Sequence, residues 1–305
     1  MARLNVLVYV DDLIVTGSSS ELITRFKEYM AVCFYMKDLG PLRYFLGIEV
    51  ARSQAGIYLC QRKYTLDIIS DSGLLGAKPA LFPLDQNHQL ARDDSPLLAD
   101  PEPYRRLIGR LIYLVNTRPD LGYSVQLLSQ FMQSPREAQW DAALRVVRYL
   151  KKNPGQGILL RSSTPLRLTG WCDSDYGADP VKRRSLTGWF VQLGDSPISW
   201  KTKKQATLAC SSAEAEYRAM ASTTRELVWL RQLLCDLGVS LHQPIQLNCD
   251  SQAAIHISSN PVFHERTKHI EIDCHYVRDQ IEAGILVPRH VNTRLQLADI
   301  FTKAL

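Results

Sequence analysis

A short apolar, β-branched run begins the chain, and two acidic residues interrupt it. The run, LNVLVYVDDLIVTG, covers residues 4–17 and carries Asp11 and Asp12 side by side. Runs rich in valine and isoleucine favour strands over helices. We therefore predict a β-hairpin with strands at residues 4–9 and 13–16 and with both carboxylates in its turn.

Amphipathic stretches continue the pattern as far as residue 152. Apolar residues that recur every three or four positions predict helices, and short apolar runs bounded by turn residues predict strands. The predicted elements are a helix at 18–34, a hairpin at 42–61, a helix at 62–79 and helices at 103–116, 119–132 and 135–152. Between them, residues 83–103 are rich in Asp, Pro, Gln and Asn, which predicts a loop or linker.

The pattern changes after about residue 165, beyond the break KKNPGQG at 151–157 that we take as the preferred domain boundary. From there, three strands precede a long helix, and then come a strand, two helices, a strand and a last helix. Their predicted bounds are 166–175, 185–194, 197–207, 212–237, 245–250, 251–259, 270–284, 285–291 and 294–304. This succession predicts an α/β domain of ordinary size.

Composition and charge change this picture little. The chain is 46% hydrophobic and 22% charged, which is typical of globular proteins, and its net charge of +5 only weakly favours a polyanionic partner. Seven cysteines without a CxxC pair indicate free thiols in a reducing compartment. There is no signal-peptide pattern and no apolar stretch near the ~20 residues that span a membrane. We expect a soluble intracellular protein, in the cytoplasm or nucleus, without a membrane partner.

Four acidic residues of the second half occupy the ends of predicted elements. Asp173 follows an apolar-aromatic strand, Asp250 ends the strand IQLNCD, Glu216 lies in the first turns of the long helix, and Asp299 lies on the last helix. Each of them is surrounded in sequence by apolar or small residues. Taken singly, each has a simpler use, because Asp residues cap helices and early acidic residues complement the helix dipole.

Taken together, the four carboxylates predict one site. Converging carboxylates repel one another strongly unless cations neutralise them. Hard oxygen ligands suit Mg²⁺ or Mn²⁺. Two such ions ~3.5–4 Å apart would hold the attacking water and the leaving oxygen of a phosphodiester.

The segment HERTKH at 264–269 is a weaker metal candidate. The zinc-protease motif HExxH needs two histidines four positions apart, whereas His264 and His269 are five apart. Cys274 and His275 lie nearby, but packing and local hydrogen bonding are the favoured uses of these residues.

Many separate motifs in order resemble one family, the copia-type LTR-retrotransposon Pol polyproteins, over the end of the reverse transcriptase and the ribonuclease H. The motifs that carry the resemblance are YVDD at 9–12, KDLGPLRYFLGIEVAR at 37–52, YRRLIGRLIYLVNTRPDLGYSV at 104–125, CDSDYGAD at 172–179, RRSLTGWFVQLG at 183–194, SWKTKKQATLACSSAEAEYRAM at 199–220, CDSQAAI at 249–255, NPVFHERTKHIEID at 260–273 and QLADIFTKAL at 296–305. The resemblance implies a partial reverse-transcriptase palm and start of thumb at 1–85, a helical thumb or connection at 86–160, and a ribonuclease H-like mixed five-stranded sheet with helices at 161–305, an α/β (α+β) fold.

The resemblance also implies roles for particular residues of the last region. Asp173 would be the catalytic Asp of the first strand, with Asp175 as the second choice, and Glu216 is preferred to Glu214. Asp250 and Asp299 would complete the ligand set for two Mg²⁺ or Mn²⁺ ions, and His290 would assist product release. The implied reaction is hydrolysis of the RNA strand of an RNA–DNA hybrid, recognised through its 2′-hydroxyl groups.

Basic residues would contact the phosphates of this hybrid. The candidates are Lys182, Arg183, Arg184, Lys201, Lys203 and Lys204, for which a solvated loop is the simpler interpretation. A catalytically inactive remnant that only binds nucleic acid is the alternative function.

The YVDD motif implies a polymerase site that binds a template-primer. Asp11 would be the principal metal ligand and Asp12 a weaker one, with Tyr9 and Val10 near the primer end. The family pattern has a further Asp and the fingers upstream, and only eight residues precede Tyr9. We therefore expect a weakly supported hairpin and no independent polymerase activity, unless an upstream Pol portion supplies the missing parts.

Overall fold

A computed structural model describes residues 2–86, 88–179, 182–259 and 270–304 of the chain. The described residues form sheets of two, four and five strands, with helices between them. None of the helices in these ranges combines the length and the apolar character needed to cross a membrane.

The predicted N-terminal hairpin is confirmed, except that Asp12 begins the second strand instead of lying in the turn. Strand β1 (Leu4–Tyr9) pairs antiparallel with β2 (Asp12–Gly17), and Tyr9 lies opposite Asp12. Val10 adopts a φ of 49°, which is strained for a β-branched residue. Helix α1 (Ser20–Cys33) follows, with the Ser19 hydroxyl accepting a hydrogen bond from the Leu22 amide, and it contains no buried residue.

A four-stranded antiparallel sheet joins distant parts of the chain. Its order is β3 (Tyr44–Phe45), β4 (Ile48–Ser53), β5 (Gly56–Cys60) and β6 (Gly157–Arg161). The hairpin of β4 and β5 is the predicted one, whereas β6 was not predicted. A Cβ atom on Gly157 would lie 2.0 Å from the Leu59 carbonyl oxygen, so the close pairing of β5 and β6 requires glycine there.

Four helices pack around one apolar core. They are α2 (Arg62–Asp71), α3 (Glu102–Leu114), α4 (Gly122–Ser129) and α5 (Glu137–Lys152). Within the stretch 62–79, which was predicted to be a helix ended by Gly and Pro, helix α2 ends at Asp71 because Gly73 adopts a φ of 68° and terminates it. A short 3₁₀ turn at Pro119–Leu121 replaces the first turn of the predicted helix at 119–132.

The five-stranded sheet has the mixed form that was predicted. Its strands are β7 (Leu168–Asp175), β8 (Leu186–Leu193), β9 (Ser196–Lys204), β10 (Ile245–Cys249) and β11 (Leu286–His290). Their spatial order is β11-β10-β7-β8-β9, with β7, β8 and β9 antiparallel and with β10 and β11 parallel to β7.

Helix α6 (Ser212–Asp236) covers one face of this sheet. A Cβ atom on Gly170 would lie 2.7 Å from the Leu227 side chain, so the strand and the helix approach closely there. Helices α7 (Gln252–Ser259) and α8 (Glu271–Glu282) complete the same apolar core.

The predicted last helix at 294–304 is wrong. The chain instead forms two 3₁₀ turns, Thr293–Leu295 and Leu297–Phe301. Gln296 separates them, because its side chain accepts a hydrogen bond from the Ala298 amide and donates one to the Cys172 carbonyl oxygen at 2.9 Å. Side chains that bond to the backbone in this way compete with a continuous helix.

Candidate functional site

The four predicted acidic residues meet at one edge of the five-stranded sheet. Asp173 lies near the end of β7, and Asp250 follows β10, which is its parallel neighbour. Parallel neighbouring strands end at the same edge of a sheet, so these two carboxylates approach each other. Glu216 comes from the second turn of α6, and Asp299 comes from the last 3₁₀ turn.

Asp173 is almost completely buried. Its carboxylate accepts a hydrogen bond from the Thr302 hydroxyl, and the Lys303 ammonium lies 3.7 Å from the same oxygen. Burial nevertheless raises the pKa of Asp173 to about 6, with further increases from the nearby Asp299 and Asp250 carboxylates. The surroundings thus make Asp173 harder to ionise than an exposed aspartate, and a nearby cation would offset this effect.

The pKa of the Glu216 carboxyl is raised more strongly than that of Asp173. Burial, followed by the neighbouring Cys249, Asp173 and Asp250, raises its pKa to about 10, although a hydrogen bond from the Ser174 amide opposes the shift. Its Oε2 atom is shielded from solvent and has no hydrogen-bond donor. A shielded carboxylate oxygen without a donor is what a site for a hard divalent cation requires.

Asp250 adjoins Glu216 on the other side. Donor atoms of Glu216, Cys249 and Asp250 all lie within 4.8 Å of one another. The Thr293 hydroxyl donates a hydrogen bond of 2.8 Å to Oδ2 of Asp250, which orients this carboxylate. The carboxylates of Glu216 and Asp250 are therefore close enough to share a cation.

Asp299 reaches the site through a residue that the sequence prediction missed. Its Oδ1 atom lies 2.9 Å from the Lys303 ammonium, which also lies next to Asp173. Lys303 therefore links two of the four carboxylates. The only signal for it in the sequence was its position four residues after Asp299.

Glu214 and Asp175, the second choices for the catalytic positions, have different surroundings. Glu214 forms an ion pair with Arg218 at 2.6 Å and accepts a hydrogen bond from the Cys210 amide at 2.7 Å, so it serves the helix start. Asp175 is half-buried, and burial raises its pKa while Lys303 lowers it. It lies on the same strand as Asp173 but nearer its end.

His290 lies at the end of β11, exposed to solvent. Its Nε2 atom is 3.2 Å from the backbone oxygen of Asp250. This contact places the imidazole at the rim of the acidic cluster.

Of the two basic segments, 201–204 and 182–184, the first contains both exposed and engaged side chains. Lys201 and Lys203 are exposed, with the Lys201 ammonium 5.6 Å from the centre of the Trp189 ring and Lys203 lining a cavity of about 520 Å³. Lys204 is instead engaged within the protein, through an ion pair with Asp179 and a hydrogen bond to Gln130.

The second basic segment lies in the loop between β7 and β8. Lys182 and Arg183 are exposed there, and Arg184 is half-buried. The Lys182 amide donates a hydrogen bond of 3.1 Å to Asp179, and Arg183 has a φ of 51°. The backbone amides of Lys182 and Arg183 thus both donate hydrogen bonds to Asp179.

The YVDD turn has a different character from the acidic cluster. Tyr9 is 55% exposed and Val10 is 81% exposed, and both Asp11 and Asp12 face solvent. Within the described ranges, no third acidic, histidine or cysteine side chain forms a metal-binding group with this pair.

The HERTKH segment, including His264 and His269, lies outside the described residues. Nearby, Cys274 is buried in the core of the five-stranded sheet, and His275 is 4.0 Å from Glu271 on the exposed side of α8. Cys274 thus faces the core, whereas His275 faces solvent.

The described chain thus combines an N-terminal β-hairpin with a mixed five-stranded sheet that carries the acidic cluster at one edge. Residues 1–86 match the family model described as reverse transcriptase (RNA-dependent DNA polymerase). Over 299 residues the chain is 43% identical to a retrovirus-related Pol polyprotein from transposon RE2 of Arabidopsis thaliana, covering 98% of this chain and 20% of that one. It is 35% identical to a Ty5-1 transposon protein of Saccharomyces cerevisiae, covering 73% of each.

The chain belongs to the copia-type retrovirus-related Pol polyproteins of transposons. It spans about a fifth of the length of the RE2 polyprotein that it matches. Among solved structures, a foamy viral protease-reverse transcriptase in complex with double-stranded DNA aligns with 94% of this chain and 46% of its own, at 13% identity and a TM-score of 0.52. That likeness concerns the fold.

Proposed function

We propose that residues 161–305 hydrolyse the RNA strand of RNA–DNA hybrids with the help of two Mg²⁺ or Mn²⁺ ions. The observation that carries the proposal is the convergence of four carboxylates at one sheet edge, with a shielded Glu216 oxygen that lacks a hydrogen-bond donor. A cluster with this charge is stable in its ionised form only with cations.

The acidic residues have distinct tasks in this proposal. Asp173, Glu216, Asp250 and Asp299 would hold the cations, which supply activation of water and stabilisation of the leaving oxygen. Thr302 and Thr293 orient Asp173 and Asp250 by donating hydrogen bonds. Lys303 keeps Asp173 and Asp299 together when no cation compensates their charge.

His290 would act at the rim of this centre. Its ring is exposed and lies near the Asp250 backbone oxygen, within reach of a product that leaves the acidic cluster. We propose that it assists the departure of the product, as the family resemblance implies.

The nucleic acid would lie along the edge that carries the carboxylates. The exposed ammonium and guanidinium groups of Lys182, Arg183, Lys201 and Lys203 support a phosphate interface, whereas the engaged Lys204 and the half-buried Arg184 contribute less to it. The foamy viral structure was solved with double-stranded DNA. We propose an RNA–DNA hybrid as the partner of this chain because only the RNA strand offers a 2′-hydroxyl.

The YVDD hairpin would contribute to a polymerase only together with another Pol portion. Tyr9 and Val10 would then face the primer end of a template-primer, and Asp11 and Asp12 would bind metal. The proposal rests on the absence of a third ligand near these carboxylates within the described ranges. It predicts that adding a separately expressed upstream portion, and not Mg²⁺ alone, restores nucleotide incorporation.

A cleavage assay tests the ribonuclease proposal. The full chain is incubated with a labelled RNA–DNA hybrid and Mg²⁺, alongside Glu216→Gln and the matched control Glu282→Gln, which changes an exposed residue of α8. We expect cleavage by the wild type and the control and loss of at least about a hundredfold in Glu216→Gln. Salt-dependent hybrid binding without any cleavage would overturn the proposal in favour of a remnant that only binds nucleic acid.

A further inference from the structure

A thiol lies among the carboxylates of the acidic cluster. Cys249 is the last residue of β10 and is fully buried. Its sulfur, one oxygen of Glu216 and one oxygen of Asp250 are all within 4.8 Å of one another. We call these three side chains the thiol–carboxylate set.

The donor types of this set differ from those that Mg²⁺ prefers. Mg²⁺ takes oxygen ligands in a strict octahedron and seldom binds sulfur. Zn²⁺ and Cd²⁺ accept a thiolate together with carboxylates in a tetrahedral arrangement. The mixed sulfur and oxygen donors of the set therefore suit the softer cations better than Mg²⁺.

A second observation also indicates a cation at this place. The Oε2 atom of Glu216 is hidden from solvent without any hydrogen-bond donor. Oδ2 of Asp250 accepts a hydrogen bond of 2.8 Å from the Thr293 hydroxyl, so the carboxylate is oriented before any ion binds. Preorientation of this kind strengthens metal binding.

We propose that the thiol–carboxylate set binds a thiophilic divalent cation such as Zn²⁺ or Cd²⁺, and that this ion inhibits the chain by displacing the activating Mg²⁺. Binding replaces the Cys249 proton with a sulfur–metal bond and releases the proton to solvent. The inhibitory part rests on the proposed ribonuclease function, because Glu216 and Asp250 belong to both sites. The binding part stands independently of any catalysis.

Cys172 provides a matched control for Cys249. It is also fully buried, on the neighbouring strand β7, and forms a hydrogen bond with Cys249. Its sulfur donates towards the Asn248 carbonyl oxygen at 3.7 Å and does not belong to the set of donors. Substitution of either cysteine therefore disturbs the same packing, but only one removes a ligand.

Cadmium binding by the metal-free full chain tests the proposal. The exposed cysteines Cys33, Cys210 and Cys235 are first replaced by serine, so that the remaining thiols are buried. Cd²⁺ is then titrated while the ultraviolet thiolate-to-cadmium charge-transfer band is recorded. We expect saturation at a single equivalent in this parent and in its Cys172→Ser derivative, and loss of the band in Cys249→Ser.

Two further variants keep the test decisive. Cys249→Ala is used if the serine variant does not unfold cooperatively, and Glu216→Gln should weaken Cd²⁺ binding by at least about tenfold while the protein still folds. A band that persists in both Cys249 variants, or that is absent from the parent, would overturn the proposal.

The inhibitory part is measured separately on hybrid cleavage. Zn²⁺ added in small excess over the protein should suppress Mg²⁺-supported cleavage by the wild type, and Cys249→Ser should resist the same concentration. If the chain cleaves no hybrid at all, the ribonuclease proposal fails while the cadmium titration still decides the binding site. Equal Zn²⁺ sensitivity of wild type and Cys249→Ser would refute the inhibitory role.

Discussion

At the scale of single residues, ionising the acidic cluster has an electrostatic cost that bound cations would reduce. Glu216 and Asp173 both have raised pKa values, because burial opposes their ionised forms and neighbouring carboxylates add to the effect. Lys303 compensates only the Asp173 and Asp299 side of the cluster. The Glu216 side therefore has the greater need for an added cation.

This imbalance predicts how the stability of the metal-free protein depends on pH. The pKa of Glu216 is about 10 in the folded chain against 4.5 ordinarily, so the folded chain keeps a proton that the unfolded chain releases. The free energy of unfolding should thus fall as pH rises from about 4.5 towards about 10. Chemical denaturation in a chelator at about pH 5 and about pH 8 measures the fall.

Glu216→Gln is the control for this pH dependence. The amide cannot ionise, so the variant should lose less stability than the wild type between the same two pH values. Adding Mg²⁺ should stabilise the wild type more at the higher pH, where the carboxylates are ready to bind it. Identical pH dependence of the two proteins would show that Glu216 is not buried in a folded, metal-free site.

At the scale of elements, the C-terminal 3₁₀ turn positions half of the cluster. Phe301 is fully buried against Phe190, with ring centres 6.0 Å apart, and its carbonyl oxygen accepts a hydrogen bond from Thr202 at 2.8 Å. Gly188 lies directly beneath it. A Cβ atom there would be 2.8 Å from both the Phe301 Cβ and the Thr302 methyl group.

We expect Gly188→Ala to displace this turn. Overpacking of this kind costs about 1–3 kcal/mol, and the shift should separate Asp299 and Lys303 from Asp173. Gly109→Ala is the matched control, because its Cβ would meet nothing within 4 Å and alanine favours the helix α3. Thermal unfolding should show a loss for the first variant and a small gain for the second, and the reverse order would contradict the packing described.

Elements with a clear hydrophobic periodicity were predictable from the sequence. Elements that depend on contacts between distant parts of the chain were not. Strands β7 and β8 follow from short apolar and aromatic runs bounded by polar residues, and Asp173 and Glu216 were predicted from the resemblance to the family. Strand β6 was missed because its partner β5 lies about a hundred residues away in sequence. The prediction of a C-terminal helix was wrong because hydrophobic periodicity does not report the hydrogen bonds of the Gln296 side chain. The role of Lys303 was missed for the same reason.

At the scale of the whole molecule, the N-terminal hairpin is less supported than the other parts. Val8 is 62% exposed and Tyr9 is 55% exposed, and helix α1 buries no side chain. The helical core and the core of the five-stranded sheet, by contrast, contain many fully buried residues. A two-stranded sheet is only marginally stable by itself.

Hydrogen exchange should reveal this difference. Amides of β1, β2 and α1 are expected to exchange faster than those of β7, β8 and α6, because local opening there exposes little apolar surface. The measurement is exchange followed by peptide mass spectrometry on the full chain. Equal protection of both regions would mean that the hairpin is supported by contacts beyond those described.

We propose that the four carboxylates form a hydrolytic centre for the RNA strand of a hybrid. Single-turnover cleavage of an end-labelled RNA–DNA hybrid by the full chain, with a DNA duplex of the same sequence beside it, tests this claim most directly. We predict Mg²⁺-dependent RNA fragments with 3′-hydroxyl ends, an intact DNA duplex, and loss of cleavage in Asp299→Asn. Cleavage that persists in this variant, or that proceeds equally in a chelator, would contradict the claim.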